Sequence, residues 1–150
     1  DSSGICFNAS DKDWMGRLDR LLSMTDLVML DIKHIDPKLH KQLTGCPNEN
    51  ILRFAHYLDH KKIPVWIRHV VVPTVTDDET CLYRLGWFIG GLGNLKALDV
   101  LPYHTMGKVK YEKLGIPYRL EGVPAMDRPT LLLKKQAILK GIKDRRRHDG

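Results

Sequence analysis

The sequence predicts an α/β fold made of about three parallel β/α units, which form part of a barrel or half-barrel. Three short aliphatic runs have the length and composition of buried strands, and stretches with helical periodicity separate and follow them. Regular alternation of strands and helices requires parallel pairing through right-handed crossovers. Because three parallel strands leave both edges of a sheet open, we expect the first strands of the barrel to lie outside these 150 residues.

Local patterns place the elements of the first unit. Apolar residues recur at helical spacing from about Asp11 to Met24, which predicts a helix, and the first strand follows at Leu27 to Leu30. Asp36-Pro37 predicts the capped start of a short helix. Gly45 predicts the end of that helix, because glycine tolerates the backbone conformation of a helix terminus.

The second unit begins with a helix that starts at Asn48 or Asn50. The second strand is predicted from Val65 to Val72, where β-branched residues dominate. Residues Thr76 to Glu79 have the spacing of a capping box, with a polar cap followed three positions later by an acid. The helix that this capping box would start is expected to end at Gly90-Gly91.

The third unit has a strand from Lys96 to Leu101. Residues Gly107 to Gly115 are predicted to form a loop with one helical turn. Arg128-Pro129 opens the last helix, because proline is favoured in the first turn, where its missing N–H costs nothing.

Composition narrows the class of protein. The content of 43% hydrophobic and 28% charged residues is ordinary for a globular protein. No apolar run approaches the roughly 20 residues that a membrane span needs. The three cysteines, Cys6, Cys46 and Cys81, are odd in number and far apart, which fits reduced thiols rather than disulfides or a metal site. We therefore predict a cytoplasmic protein without a membrane partner.

The net charge of +6 is concentrated near the carboxyl terminus, in lysines between Lys134 and Lys143 and in Arg145-Arg146-Arg147. Such a segment could contact nucleic acid through phosphates. A solvated helix end is the favoured interpretation, because cations complement the helix dipole there and no aromatic side chain is interleaved to stack on bases. We predict no nucleic-acid partner.

Ionisable residues follow or interrupt the predicted strands. Asp31 and Lys33 stand two positions apart, so extended geometry places both side chains on one face. They could bind a zwitterion or form an ion pair. Arg68 lies inside an apolar strand and is expected to point into the cleft, toward Asp31 or a ligand carboxylate. His104 follows the third strand. Because the carboxyl ends of parallel strands line active sites, these residues predict chemistry.

Of the seven histidines, His104 is the best candidate for a functional site. The other six lie in what the local pattern indicates to be helices or loops, where a surface position is the default expectation. They are His34, His40, His56, His60, His69 and His148.

Longer strings carry a family resemblance. The segments Thr25–Lys33, Val65–Pro73 and Leu101–His104, in this order and spacing, resemble the pyruvate formate-lyase activating enzymes. The match continues through Thr76-Asp77-Asp78 and residues 107–111, and it weakens beyond about residue 121. These glycyl-radical-enzyme activases belong to the radical S-adenosylmethionine enzymes.

The resemblance implies an incomplete (β/α)6 barrel and an oxidoreductase of anaerobic metabolism. In that family a 4Fe–4S cluster, held by a CxxxCxxC motif, cleaves S-adenosylmethionine reductively. The resulting adenosyl radical takes a hydrogen atom from a glycine of pyruvate formate-lyase, the protein substrate. Flavodoxin or a similar protein supplies the electron.

The resemblance also assigns roles to residues of this chain. Asp31, Lys33 and His104 are implied to contact S-adenosylmethionine, and Arg68 is implied to lie in the same site as a catalytic residue. A monovalent cation beside the cofactor is implied to be surrounded by Asp1, Ser2, Met29 and Asp31. This agrees with general chemistry, since a zwitterion needs partners of both signs and a hard cation needs oxygen ligands.

The chain departs from the family pattern in two places. It contains no CxxxCxxC motif, and the family's Gly-Gly-Glu segment is also missing. Residues Asp1 to Gly4 match the end of the third barrel strand. We therefore expect residues 1–150 to be the C-terminal half, with barrel strands four to six, and to be inactive without the cluster-binding N-terminal half.

Two alternatives remain open from the sequence. The substrate could be another glycyl radical enzyme, such as a diol dehydratase or an arylsuccinate synthase. The chain could instead be a free-standing α/β module that binds an anion through Lys33, Arg68 and His104. The coding sequence upstream of Asp1 distinguishes these classes, because a CxxxCxxC motif there would favour an activase.

Overall fold

A computed structural model describes all residues from Asp1 to Gly150. The strands are β1 (Val28–Asp31), β2 (Val65–Val71) and β3 (Leu95–Pro102). The helices are α1 (Lys12–Leu22), α2 (Pro37–Thr44), α3 (Glu49–His60), α4 (Glu79–Gly90), α5 (Lys108–Lys113) and α6 (Arg128–Asp149), with a 3-10 turn at Thr105–Gly107. None of the helices has the length and apolar character needed to span a membrane.

The three strands form one parallel sheet in the order β1-β2-β3. The register places Asp31 beside Arg68 and Arg68 beside Asp99. Helices follow each strand, and α3 and α6 pack against the sheet. This arrangement confirms the predicted α/β fold with three parallel β/α units.

A short stretch at the amino terminus extends the sheet beyond β1. Ser2 forms a parallel bridge with Leu30, and its N–H donates to the Met29 carbonyl at 2.9 Å. The Asp31 N–H donates to the Ser2 carbonyl at 3.0 Å. Residues next to Ser2 therefore occupy the position of a further strand at the outer edge of β1.

The two faces of the sheet differ in burial. Along β2, Val65, Ile67, His69 and Val71 are buried, whereas Trp66, Arg68 and Val70 are more accessible. The same alternation runs along β1 and continues past its end. We call the side under the helices the covered face and the opposite side the open face. Arg68 therefore shares the open face with Trp66 and Val70.

Aspartate side chains cap four of the helices. Asp11, Asp36, Asp78 and Asp127 each accept a hydrogen bond from a backbone N–H in the first turn of the helix that follows. Gly45 ends α2 with a φ of 83°, a left-handed conformation that glycine adopts without strain.

The predicted capping box at Thr76 is wrong. Asp78, not Thr76, caps α4. The buried Thr76 hydroxyl instead accepts from the Val72 N–H and donates to the Val70 carbonyl, both at 2.8 Å. The physical reason is that backbone groups at the end of β2 lose their strand partners and must be satisfied when buried. Glu79 extends outward and forms an ion pair with Lys134 at 3.4 Å.

Helices α4 and α6 cross at very short range. A Cβ atom on Gly86 would lie 2.0 Å from the Ile138 carbonyl oxygen, and one on Gly141 would lie 2.2 Å from the Tyr83 carbonyl oxygen. Glycine at these two positions therefore lets the backbones touch. Around this crossing the fully buried side chains include Leu82, Leu85, Ile89 and Ile138.

Candidate functional site

The candidate site lies on the open face, toward the carboxyl ends of the strands. Asp31 is the last residue of β1, and Arg68 is its register partner on β2. Lys33 follows two positions after Asp31 and shares its face. Asp99 of β3 is the neighbour of Arg68 on the other side. The sheet therefore brings one row of charged residues together, as the alternation of the strands predicts.

Three of these groups and Asp1 are joined by ion pairs. The Arg68 Nε donates to Asp31 Oδ1 at 2.9 Å, and the Arg68 Nη2 donates to Asp1 Oδ1 at 2.5 Å. The Lys33 Nζ donates to Asp31 Oδ2 at 3.0 Å. Arg68 thus bridges two carboxylates, and Asp31 accepts from two cations. We call Asp1, Asp31, Lys33 and Arg68 the ion cluster.

The environment of Asp31 favours its charged form. Burial by itself would raise the pKa of Asp31, but hydrogen bonds from Arg68 and Lys33 outweigh it and hold the pKa below its usual value. Asp31 therefore stays a carboxylate at neutral pH. The Lys33 side chain is 40% exposed and uses one of its ammonium protons on Asp31. Its other protons remain available to an anionic group on the open face.

His104 lies at the same end of the sheet but outside the ion cluster. It lies two residues beyond Pro102, the last residue of β3, and is exposed, and its side chain makes no capping hydrogen bond. The Tyr103 ring before it is buried, and its hydroxyl is hydrogen-bonded to that of Tyr118 at 2.8 Å. The structure therefore joins Asp31, Lys33 and Arg68 by direct contacts, and it leaves His104 separate at the end of β3.

The four residues implied to hold a monovalent cation also lie close together. Ser2 is hydrogen-bonded to the Met29 carbonyl and, through its own carbonyl, to the Asp31 N–H. Asp1 and Asp31 meet through Arg68, whose guanidinium supplies positive charge to both carboxylates. No group of three or more His, Cys, Asp or Glu side chains is arranged to hold a metal ion. The oxygen donors suit an alkali cation, but Arg68 already engages both carboxylates.

Three histidines are buried, so the surface position predicted for them is wrong. His34, His40 and His69 are each only 2% exposed. His69 belongs to the covered face of β2, and His34 continues the covered face beyond β1. The alternation of buried and open positions along β2 was the signal that could have placed His69. His56, His60 and His148 are exposed, as expected.

His69 contacts the segment that carries the ion cluster. Its Nδ1 lies 2.7 Å from the carbonyl oxygen of Ile32, the residue between Asp31 and Lys33. Burial lowers the pKa of His69 to about 4, although the hydrogen bond to Ile32 opposes this effect. The imidazole is therefore neutral at physiological pH, and Nδ1 carries the proton because a carbonyl can only accept.

An apolar groove of about 390 Å³ runs beside the outer edge of β1. Its lining combines the amino-terminal stretch with side chains of α1 and of the turn before β1. Trp14, Leu18 and Leu21 form one wall, and Phe54 of α3 contributes to the floor. The groove begins where Ser2 extends the sheet, so the outer edge of β1 is flanked by apolar surface.

Comparison with known proteins gives relatives of one kind. The chain is 48% identical over 138 residues to the pyruvate formate-lyase-activating enzyme of Listeria monocytogenes, a match that covers 92% of the chain. It is 48% identical over 127 residues to the enzyme of that name from Staphylococcus epidermidis. It is 46% identical over 130 residues to the one from Streptococcus mutans. The chain is homologous to the pyruvate formate-lyase-activating enzymes. No family model matches it.

The chain spans about half the length of these activating enzymes, namely 55%, 50% and 49% of the three relatives. A solved structure supports the fold independently. The crystal structure of a domain of pyruvate-formate lyase-activating enzyme from Bacteroides vulgatus superposes with a TM-score of 0.68 at 18% identity. The superposition covers 90% of this chain and 73% of the solved domain. It confirms the partial-barrel architecture.

Proposed function

We propose that residues 1–150 are the C-terminal half of an activating enzyme that generates the glycyl radical on pyruvate formate-lyase. The enzyme would do so by reductive cleavage of S-adenosylmethionine. The ion cluster supports this proposal most directly, because it presents both signs of charge at the carboxyl ends of parallel strands. The names of the activating enzymes to which the chain is homologous support the assignment to an activase.

The amino-acid end of S-adenosylmethionine fits the charges of the open face. The Asp31 carboxylate would accept from the ligand's ammonium group, and the partly exposed Lys33 would donate to its carboxylate. Arg68 would hold Asp31 in place and lie beside the reacting part of the cofactor as the catalytic residue. His104, at the end of the neighbouring β3, would contact the cofactor from the opposite side of Arg68.

The 4Fe–4S cluster does not fit this chain. Cys6, Cys46 and Cys81 are all free thiols on separate parts of the fold. In the proposal the cluster is bound by the N-terminal half, where it supplies the electron that cleaves S-adenosylmethionine. The residues of the present chain bind and orient the cofactor and contribute no ligand to the iron.

In the proposal, the N-terminal half would pack against the outer edge of β1. The Ser2 bridge supports a preceding strand at this edge, and the apolar groove beside it offers surface that such a strand and its helix would cover. The chain's coverage of about half of each relative agrees with this arrangement. Barrel strands four to six would then be β1, β2 and β3.

A monovalent cation beside the cofactor carboxylate is part of the same proposal. Oxygen atoms of Asp1, Ser2, Asp31 and the Met29 carbonyl would be its ligands. The assembled enzyme would act in the cytoplasm, with pyruvate formate-lyase as protein substrate and flavodoxin or a similar protein as reductant. Neither nucleic acid nor a membrane has a role in it.

The first test is cofactor binding by the full-length enzyme. Lys33→Ala removes the partner of both Asp31 and the ligand carboxylate, and His104→Ala removes a proposed contact. We expect each to weaken S-adenosylmethionine binding about tenfold or more, the effect of about 1.4 kcal/mol. Iron content should not change. Calorimetric titration of anaerobically purified variants measures the affinity.

Matched controls come from the opposite end of the sheet. Lys96 and His60 are exposed and lie near the amino ends of the strands, so Lys96→Ala and His60→Ala should leave the affinity unchanged. Unaltered affinity in both Lys33→Ala and His104→Ala would refute the site. The His104 variant is the more exacting test, because that side chain makes no contact with the ion cluster.

A second test uses the 150-residue chain alone. Because its three cysteines are scattered, we expect it to be colourless, to bind no stoichiometric iron and to leave S-adenosylmethionine intact under reducing, anaerobic conditions. Iron analysis and product chromatography after iron–sulfur reconstitution measure this. A broad visible absorption band together with 5′-deoxyadenosine would overturn the assignment of the cluster to the other half.

A further inference from the structure

We propose that His69 is a positioning residue of the cofactor site, which from the covered face fixes the backbone between Asp31 and Lys33. This inference rests on the proposed function, because the groups that His69 positions are the proposed cofactor ligands. The inference adds to the site a buried residue whose side chain contacts neither the cofactor nor the side chains of the ion cluster.

The hydrogen bond from His69 is made to Ile32, the residue between the proposed cofactor ligands Asp31 and Lys33. The His69 Nδ1–H donates to the Ile32 carbonyl at 2.7 Å, and the Ile32 N–H donates to the Arg68 carbonyl at 3.1 Å. Both polar groups of Ile32 are therefore held by β2. Because side chains alternate along an extended chain, fixing Ile32 on the covered face fixes Asp31 and Lys33 on the open face.

A second buried side chain holds the segment just beyond. The Asn48 Nδ2 donates to the carbonyls of His34 at 3.0 Å and Ile35 at 2.8 Å. Lys33 thus lies between two residues whose carbonyls are bound by buried side chains, although it has left the strand ladder. The sequence predicts that α3 starts at Asn48 or Asn50. Asn48 is the N-cap residue of α3, but its side chain makes no capping hydrogen bond and binds this segment instead.

His69 suits this role because it is a neutral, rigid donor. Its ring is buried, and the low pKa caused by that burial keeps it uncharged across the physiological range. The carbonyl of Ile32 requires the proton on Nδ1, which leaves Nε2 unprotonated and without a partner. Loss of the donor would leave the Ile32 carbonyl buried and unsatisfied, so the segment would shift to find another partner.

The experiment compares three substitutions of His69 in the full-length enzyme. His69→Asn places an amide donor near the position of Nδ1, whereas His69→Gln places it near Nε2 and His69→Leu provides none. We expect His69→Leu and His69→Gln to weaken S-adenosylmethionine binding about fivefold or more, and His69→Asn to stay within about twofold of the wild type. Iron content should be equal in all four proteins.

Val65→Ala is the control for a merely structural role. Val65 is fully buried in the same strand but at its amino end, so the variant should lose stability without losing affinity. Equal affinities for His69→Leu and the wild type would overturn the positioning role while the proposed function stands. An equal loss in His69→Asn and His69→Leu would also overturn it. A wild-type enzyme that fails to bind S-adenosylmethionine would refute the proposed function and this role together.

A measurement on the unmodified protein does not depend on the folding of variants. Nitrogen-15 NMR of the imidazole rings distinguishes the two neutral tautomers. We expect His69 to be protonated at Nδ1 and His34, whose Nδ1 accepts from the Asp36 N–H at 3.0 Å, to be protonated at Nε2. An Nε2-protonated His69 would contradict the proposed hydrogen bond.

Discussion

Gly86→Ala is expected to lower the free energy of unfolding by about 3 kcal/mol or more, the upper end of what overpacking costs. The added Cβ would lie 2.0 Å from the Ile138 carbonyl oxygen and 2.8 Å from its carbonyl carbon. These are backbone atoms of α6, so no side chain can rotate away. Relief requires α4 and α6 to separate, which would open the core around Leu85 and Ile138.

Gly16→Ala is the matched control. Gly16 lies inside α1, is exposed and has no atom within 4 Å of a Cβ placed on it. The same substitution should therefore raise the stability there, by up to about 1 kcal/mol, because alanine favours the helix. Chemical denaturation followed by circular dichroism measures both variants. Equal and small effects at the two positions would show that the helices do not touch through Gly86.

The crossing also illustrates what sequence patterns cannot specify. Helical periodicity predicts α4, and Gly90-Gly91 was assigned only as its end. In the structure a Cβ on Gly90 would lie 2.9 Å from the Ile142 Cα, so Gly90 is also a packing position against α6. The need for glycine at such a site depends on a partner helix about 50 residues further along the chain, which a local pattern does not contain.

The candidate site was predictable to the extent that it follows from strand geometry. The spacing of Asp31 and Lys33 predicts a shared face, and the cost of an unpaired charge predicts a carboxylate partner for Arg68. Both expectations agree with the ion pairs of the structure. The participation of Asp1 depends on the sheet register next to β1, and that register appears only when the strands are assembled.

Two of the three buried histidines were mispredicted because their local context is polar. His34 and His40 stand among charged residues and near prolines, a pattern typical of surface loops. Their burial results from tertiary packing around α2 and the segment before it, where Asn48 binds the carbonyl of His34. Backbone groups satisfy one ring nitrogen of each, the Asp36 N–H for His34 and the Cys46 carbonyl for His40. Such tertiary partners have no signature in a short window of sequence.

The buried His69 should make the protein markedly less stable in mild acid. Its pKa is about 4 in the folded protein and near 6.5 when the chain unfolds. Between these values the unfolded state binds a proton that the folded state does not, so the free energy of unfolding falls as the pH falls. The slope is about 1.4 kcal/mol per pH unit, and the total loss between pH 6.5 and pH 4 is about 3 kcal/mol. Burial lowers the pKa of His34 as well, which adds to the loss in the same direction.

Urea denaturation at pH 7.0, 6.0, 5.0 and 4.5 measures this slope, with His69→Asn as the variant that keeps the hydrogen-bond donor without the titration. We expect the variant's free energy of unfolding to depend less steeply on pH than that of the wild type, because only the His34 contribution would remain of the two. Protonation of Asp31 does not affect the stability in this pH range. Because the pKa of Asp31 is lowered in the folded protein, the stability that this carboxylate contributes is lost only below its ordinary pKa of 3.8. Val65→Ala should lower the stability by the same amount at each pH, since it removes no titrating group. Parallel curves for His69→Asn and the wild type would mean that His69 accepts a proton as readily in the folded protein as in the unfolded chain.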